Sequence, residues 1–523
     1  MSLAMLKNRI SDRFVAIFFA ALVLIGNAPA KPEADAKVAV THLPVAEAPS
    51  TGGELPQKTR IPFGWPSFAL ASAGESPACR VQWKGGPLPE GETIRFRLAV
   101  ALDVRENVIL ELRLPDGGEL LGVMNFSHSP VFQMEEVALT RDQAAKALAS
   151  GLEIDRIQGT APFRLFAPGA EGIPAVLQPH LMIAGKTDVW AEFLQRMKGR
   201  DAIQTFGWME GAMLDGVLDL YGAFPNDGYL KALEDRRDLY LKGEDLVYEN
   251  PRSMIVDNKI YGIECTLPFA VIAKTKPDHP SLSEAVEFWT SHEKKTGPAA
   301  GSVQDGGSCT AEGSYTVGYP LMVVARERGD KALEELAVRQ FRVRQTQLVD
   351  SEGNIWLRNN DGKPMMKNWA RGVAWYFLGL VRGIAEAEGR EDLADLKAEA
   401  NRVMEFVIAR QGEDGLWRNF FDQQDQTVDT SGSAGIAAAL AIGEAHGILP
   451  AKAREAAEKT RQGLKPYLTA DGLLSHGTPS NRGPAAQGNR RQIFQVGMGL
   501  AAQLIAALDG PRPEKSKSNG KGR

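Results

Sequence analysis

Carboxylates, a guanidinium and indole faces recur together in five short stretches of this 523-residue chain. They are Phe206-Gly207-Trp208-Met209-Glu210, Ile255-Val256-Asp257-Asn258, Asp305-Gly306-Gly307 leading to Thr310-Ala311-Glu312, Asn368-Trp369-Ala370-Arg371-Gly372, and Asp429-Thr430-Ser431-Gly432-Ser433. In the fourth, Trp369, Arg371 and Trp375 stand at i, i+2 and i+6. Two aromatic faces for stacking on a sugar thus accompany a guanidinium that can grip a carboxylate with two hydrogen bonds. The plainer reading of the same residues puts Trp375 in a core and pairs Arg371 with an acid. Asp429, followed by small residues, reads equally as a helix N-cap, and so does Asp257. A carboxyl such as Glu312 or Asp257 serves as an acid–base group only where burial and neighbours raise its pKa, which an aromatic-walled site supplies. No Cys or His pair has zinc-ligand spacing, and no phosphate-binding glycine loop or nucleophile elbow is present, so the sequence asks for no metal or organic cofactor.

Each stretch falls just before or within the first turns of an expected helix, where unpaired N–H groups and the positive end of the dipole suit an anion. Amphipathic periodicity places helices in pairs: 205–221 with 228–241, 264–273 with 281–292, 312–328 with 331–348, 369–388 with 391–411, and 431–446 with 451–468. A last helix at 491–508 ends the series. The links between pairs share a glycine anchor, Gly353, Gly415 and Gly472, spaced about 62 and then about 57 residues apart. Six units of about 52 residues fill 195–509, which predicts an all-α (α/α)6 barrel whose inner-helix N-termini gather at one mouth. An open solenoid is the alternative, but its repeats are shorter, about 33–47 residues.

Ahead of this region, 61–190 carries short alternating runs such as Thr93 to Leu98 and a hairpin signal at Pro115-Asp116-Gly117-Gly118. A small β-rich, sandwich-like domain with one helical insert is expected there, acting as a structural cap or as a carbohydrate-binding module. Residues 1–30 read as a signal peptide: Lys7, Arg9 and Arg13 precede an apolar run from Phe14 to Gly26 and an Ala28-Pro29-Ala30 cleavage site. The protein is therefore expected to be secreted, periplasmic or extracellular, with no membrane span after cleavage. Residues 31–60 read as a linker, and 510–523 as a disordered basic tail. The net charge of −5 becomes more acidic once that tail is set aside, a poor match for nucleic acid. Three cysteines allow at most one disulfide within the chain.

Trp369-Ala370-Arg371-Gly372-Val373-Ala374-Trp375 and Asp429-Thr430-Ser431-Gly432-Ser433-Ala434, with Asp305-Gly306-Gly307 and Tyr315-Thr316-Val317-Gly318-Tyr319-Pro320, resemble the unsaturated uronyl hydrolases of glycoside hydrolase families 88 and 105. The resemblance covers about 195–509 and implies an (α/α)6 barrel. It also implies removal of a terminal 4,5-unsaturated uronic acid from acidic oligosaccharides made by polysaccharide lyases. In such enzymes an inner-helix Asp protonates the enol-ether double bond and helps water add at C5, and the hemiketal rearranges to release the sugar. That acid lies in a Trp-x-Asp stretch a few residues before an apolar-Pro pair. Here the nearest match is taken as Thr310-Ala311-Glu312, which has Glu for Asp and no Trp. Glu312 is the first candidate for the acid, and Asp257 the second because Val256-Asp257-Asn258 resembles an Ile-Asp-Asn element. By the same resemblance Arg371, Trp369 and Trp375 bind the uronate, Asp429 holds sugar hydroxyls, and Trp208, His476 and Arg491 are further mouth residues.

Other functions fit parts of the pattern. Two carboxylates, Glu312 with Asp257 or Glu264, could make a conventional exo-uronidase on the same toroid. A lyase would need a Tyr, His or Lys base beside a carboxylate-neutralising group, and no such cluster stands out. A non-catalytic glycan-binding protein is the third alternative.

Overall fold

The computed structural model describes residues 40–75, 78–423, 427–478 and 492–512, and these described residues form one compact unit. The signal-peptide reading of 1–30 and the tail from 513 lie outside the described residues. Ten strands open the chain: β1 (Thr41–Pro44), β2 (Ser67–Leu70), β3 (Cys79–Val81), β4 (Thr93–Ala99), β5 (Ile109–Arg113), β6 (Leu120–Asn125), β7 (Met134–Ala138), β8 (Leu152–Gln158), β9 (Phe163–Phe166) and β10 (His180–Ala184). They form two four-stranded antiparallel sheets, β1-β10-β4-β7 and β3-β8-β5-β6, with β2 and β9 as a separate pair. Alternation on β4 turns Ile94, Phe96 and Leu98 into a core shared with Leu110, Leu112, Ile154, Leu181 and Ile183. The β5–β6 turn has Asp116 at φ 60° and Gly117 at φ 72°, the left-handed pair that tight hairpins require. Helix α1 (Arg141–Ser150) is the insert, begun by a capping box of Thr140 and Gln143. One expectation fails here. Thr41–Pro44 lies in the stretch read as linker, yet it is an edge strand, because its order comes from pairing with distant β10 rather than from any local pattern.

Twelve further α-helices follow among the described residues: α2 (Val189–Met197), α3 (Trp208–Ala223), α4 (Tyr229–Tyr240), α5 (Phe269–Thr275), α6 (Ser281–Ser291), α7 (Tyr319–Arg328), α8 (Lys331–Leu348), α9 (Ala370–Glu386), α10 (Ala394–Ile408), α11 (Thr430–Ala445), α12 (Lys452–Leu464) and α13 (Val496–Asp509). Helices α3, α5, α7, α9, α11 and α13 each touch the next, and α13 returns to α3. The even-numbered helices from α4 to α12 pack on the member that precedes each of them, while α2, drawn from ahead of the series, packs on α13. Helices α3, α11 and α13 are mostly apolar or small residues and buried nearly all round, and the buried acids of α3 are paired, Glu210 with Arg236 and Asp215 with Tyr315. The closest approaches of these helices rest on glycine: a Cβ on Gly499 of α13 would collide with the Ala212 carbonyl of α3. Two helices start later than periodicity suggests. Pro268 prevents a continuous helix from 264, so Ile263–Cys265 is a separate 3-10 turn; likewise a π-turn, Ser314–Gly318, precedes α7. The three cysteines are buried and free.

The sheets are bolted to the helices by a buried ion pair. Arg97 on β4 points away from the sandwich core and meets Asp471 of the third glycine link at 2.7 and 3.1 Å, both side chains wholly out of water. His42 at 3.0 Å and Thr469 at 2.7 Å complete the Asp471 shell, and Glu136 accepts from Arg97 at 2.8 Å. Burial alone would raise the Asp471 pKa, but Arg97 and the His42 hydrogen bond outweigh it and hold the carboxyl well below its usual range. Asp471→Asn should lower the unfolding free energy by about 3–5 kcal/mol in denaturant titration, whereas the paired Arg97→Met/Asp471→Leu replacement should recover most of that loss.

Candidate active site

The N-terminal ends of the inner helices and three loops enclose an open cavity of about 380 Å³. Trp208 and Met209 come from the start of α3, Glu264 from the turn before α5, Glu312 from the approach to α7, Trp369, Arg371 and Trp375 from α9 and its N-cap, and Phe494 from just before α13. Asp103, Arg105, His128 and Pro130 reach in from the β-rich part, and Asn250, Pro251 and Arg252 from the link after α4.

Local geometry fixes each wall. Gly207, at φ 124°, lets the chain turn into α3 close against Tyr261 and Glu264; a Cβ there would stand 3.0 Å from the Glu264 carbonyl oxygen. Trp208 meets Trp375 edge to face at 5.4 Å, and Trp375 stacks on Tyr315 at 5.8 Å. Beneath, the Tyr315 hydroxyl donates to Asp215 at 2.6 Å, so the aromatic floor stands on a buried polar support. Trp369 donates to the Asn419 side chain at 3.0 Å. Arg371 lies over the Trp369 ring at 4.8 Å and near Phe494 at 5.3 Å, giving Nη1 to the Thr478 carbonyl at 2.7 Å. Its Nε is buried and has no partner among the described residues.

Two carboxyls share this space. The turn holding Glu264 is fixed by Asp305, which accepts from the Ile263 amide at 2.9 Å. Glu312 follows the short strand β11 (Cys309–Thr310), whose partner β12 (Trp356–Asn360) sets Arg358 opposite Thr310. Among the described residues neither glutamate side chain makes a hydrogen bond or an ion pair. Burial, then Glu312 and Asp305, push the Glu264 pKa up to about 8 against Arg358 and Arg105. Burial and Asp305 also raise Glu312, against Arg358 and Arg371. Both carboxyls of this half-dry site are thus easier to protonate than an ordinary glutamate, and each one's charge state bears on the other's. This arrangement can give a proton to a substrate and take one from water.

The expected site residues divide. Glu312, Arg371, Trp369, Trp375 and Trp208 converge on the cavity. Asp257 is absent from its walls and is not a cap: Arg60 clasps its carboxylate at 2.7 and 2.9 Å, which lowers its pKa and removes it as a proton donor. Asp429 is buried behind Arg371 as the N-cap of α11, accepting from Ser431 at 2.7 Å and from the Thr478 amide at 3.1 Å. His476 is exposed and edges onto Tyr467 at 4.9 Å, away from the cavity. Arg491 lies outside the described residues. Glu210 is spent on a buried pair with Arg236 at 2.9 Å. The residue that sequence reasoning undervalued is Glu264, and the signal was present: it stands before Leu267-Pro268, the apolar-Pro pair that marks the acid in the resembled enzymes. Gly262 occupies the place of the expected Trp because any side chain there would strike Asp305.

The family model described as Glycosyl Hydrolase Family 88 matches residues 183–492, which hold all but the last helix of this closed series of paired helices, and it marks the protein as a glycoside hydrolase. The chain belongs to that family. It is 29% identical over 169 residues to protein Atu3128 of Agrobacterium fabrum, covering 29% of this chain and 72% of that protein. Two solved structures share its fold. A possible family 105 member from Klebsiella pneumoniae aligns with a TM-score of 0.51 at 15% identity, over 61% of this chain and 91% of that one. A family 105 glycoside hydrolase from C. acetobutylicum aligns with a TM-score of 0.50 at 16% identity, over 61% and 97%. Among the described residues no helix is long and apolar enough to cross a membrane.

The raised Glu264 pKa sets a sign for stability. A carboxyl that is easier to protonate when folded favours the fold fully below its unfolded value of 4.5, and the benefit is lost as pH rises through about 8. Glu264→Gln should therefore flatten the fall in melting temperature across that range, and above it the variant should melt higher than the parent protein.

Proposed function

We propose that this protein hydrates the 4,5 double bond of a terminal unsaturated uronic acid, releasing it from an acidic oligosaccharide, on an (α/α)6 barrel exported by its N-terminal signal. The observation that carries the reading is the convergence of Glu264 and Glu312 on one cavity with Arg371 and the walls of Trp208, Trp369 and Trp375, both carboxyls being raised in pKa by burial. The enol ether needs a proton at C4 and a hydroxyl at C5. Glu264, whose pKa is pushed up to about 8, donates to C4, and Glu312 takes a proton from the water that adds at C5. The two carboxyls thereby exchange states, a proton passing back from Glu312 to Glu264 resets the site, and the C5 hemiketal opens to free the neighbouring sugar. Arg371, with its unpartnered Nε and its place over Trp369, is the natural holder of the uronate carboxylate.

The same pair could serve a conventional uronidase, with one carboxyl as acid and the other as nucleophile or base. Lyase digests of acidic polysaccharides separate the two readings through the ultraviolet absorbance of the conjugated double bond, which hydration destroys. The parent protein should remove that absorbance, and Glu264→Gln and Glu312→Gln should each lower kcat by roughly 10²–10⁴-fold with KM little changed. Unchanged absorbance alongside cleavage of saturated uronides would sink the hydration reading in favour of the conventional one.

A further inference from the structure

The cavity carries positive charge that chemistry at the double bond does not use. Arg105, on the loop between β4 and β5, pairs with Asp103 and donates Nη2 to the Pro251 carbonyl at 2.8 Å. The Asp103 amide in turn donates to the Ser253 hydroxyl at 3.0 Å. These bonds latch a loop of the β-rich part to the link that bears Arg252. The Arg252 side chain lines the cavity, is exposed, and has no hydrogen-bond or ion-pair partner among the described residues. Asp103 is the one acid of this flank and is committed to Arg105, so a net positive charge faces the opening.

This flank is not the one that Arg371 occupies. Arg105 acts on Glu264, whereas Arg371 acts on Glu312 and on Asp429 behind it. Arg105 comes from the β4–β5 loop and Arg252 from the link after α4, whereas Arg371 comes from α9, so the cavity draws cations from separate elements, and a ligand with a single carboxylate satisfies one of them. Arg105 lies outside residues 183–492 and Arg252 inside them, so this side is built jointly by the β-rich part and the segment that matches the family.

We propose that Arg105 and Arg252 form a second anion subsite, which takes a carboxylate or sulfate on the sugar next to the reacting uronate, so that the preferred substrates are anionic at two consecutive residues. The inference rests on the hydration reading for its orientation, and its test is separable from that reading. Unsaturated disaccharides whose second sugar carries a carboxylate, a sulfate or no charge are titrated calorimetrically into full-length Glu312→Gln protein, and their turnover is followed with the parent protein. The charged forms should bind roughly fivefold tighter than the neutral one at low salt, and the preference should fall with ionic strength. Arg252→Ala, which breaks no internal bond, should reduce that preference to near unity, Arg252→Glu should invert it, and Arg105→Lys should keep most of it. Which of the two charged disaccharides binds better identifies the anion. Equal binding of all three, or a preference that survives Arg252→Glu, would overturn the subsite. Turnover with equal binding leaves the hydration reading standing and removes the subsite; a charge preference without turnover does the reverse.

Discussion

The Arg97–Asp471 pair is the constraint from which the arrangement of the site follows. Two fully buried ions are tolerable only with their hydrogen-bonding capacity filled, and His42, Thr469 and Glu136 fill it from three distant parts of the sequence. One residue thus locks a strand of the β-rich part to a link between helices. With that register set, the β4–β5 loop arrives at the mouth of the helical series, and Asp103, Arg105, His128 and Pro130 become walls of the cavity. The β-rich part completes the site instead of decorating it.

Within the cavity the electrostatics are balanced rather than strong. Glu264 and Glu312 raise each other's cost of ionisation, Asp305 adds to it, and Arg358 offsets both. A direct ion pair would lower both pKa values and favour the ionised carboxylates, which is what Arg60 does to Asp257. Two arginines of the cavity are instead held elsewhere, Arg371 by the Thr478 carbonyl and Arg105 by Asp103 outside the acid pair. They supply field without capturing the proton.

Much of this was legible in the sequence, in proportion to how local the cause is. The helix pairs follow from periodicity and glycine links, the β5–β6 hairpin from Asp116-Gly117, and the aromatic and guanidinium wall from the i, i+2, i+6 spacing of Trp369, Arg371 and Trp375. Glu312 was found because it precedes an inner helix. Asp257 misled for the same reason: its spacing suits a helix start, and nothing local announces that Arg60, far earlier in the chain, will clasp it. Glu264 was hidden by Gly262, whose identity answers to Asp305 across the loop. Arg105 and β1 could not be read at all, since one owes its role to the Arg97 lock and the other to pairing with β10.

The exchange by which α2 packs on α13 bears on how the protein is made. The ring of contacts opens with α3 and closes with α13, near the end of the chain, so the first inner helix waits for the last before its apolar face is covered. Until residues 496–509 have left the ribosome, α3 and α11 each present a bare flank, and the close contact of Gly216 with Gly499 cannot form. Such long-range closure leaves apolar surface of the ring uncovered until its last helix is in place, a topology that slows folding.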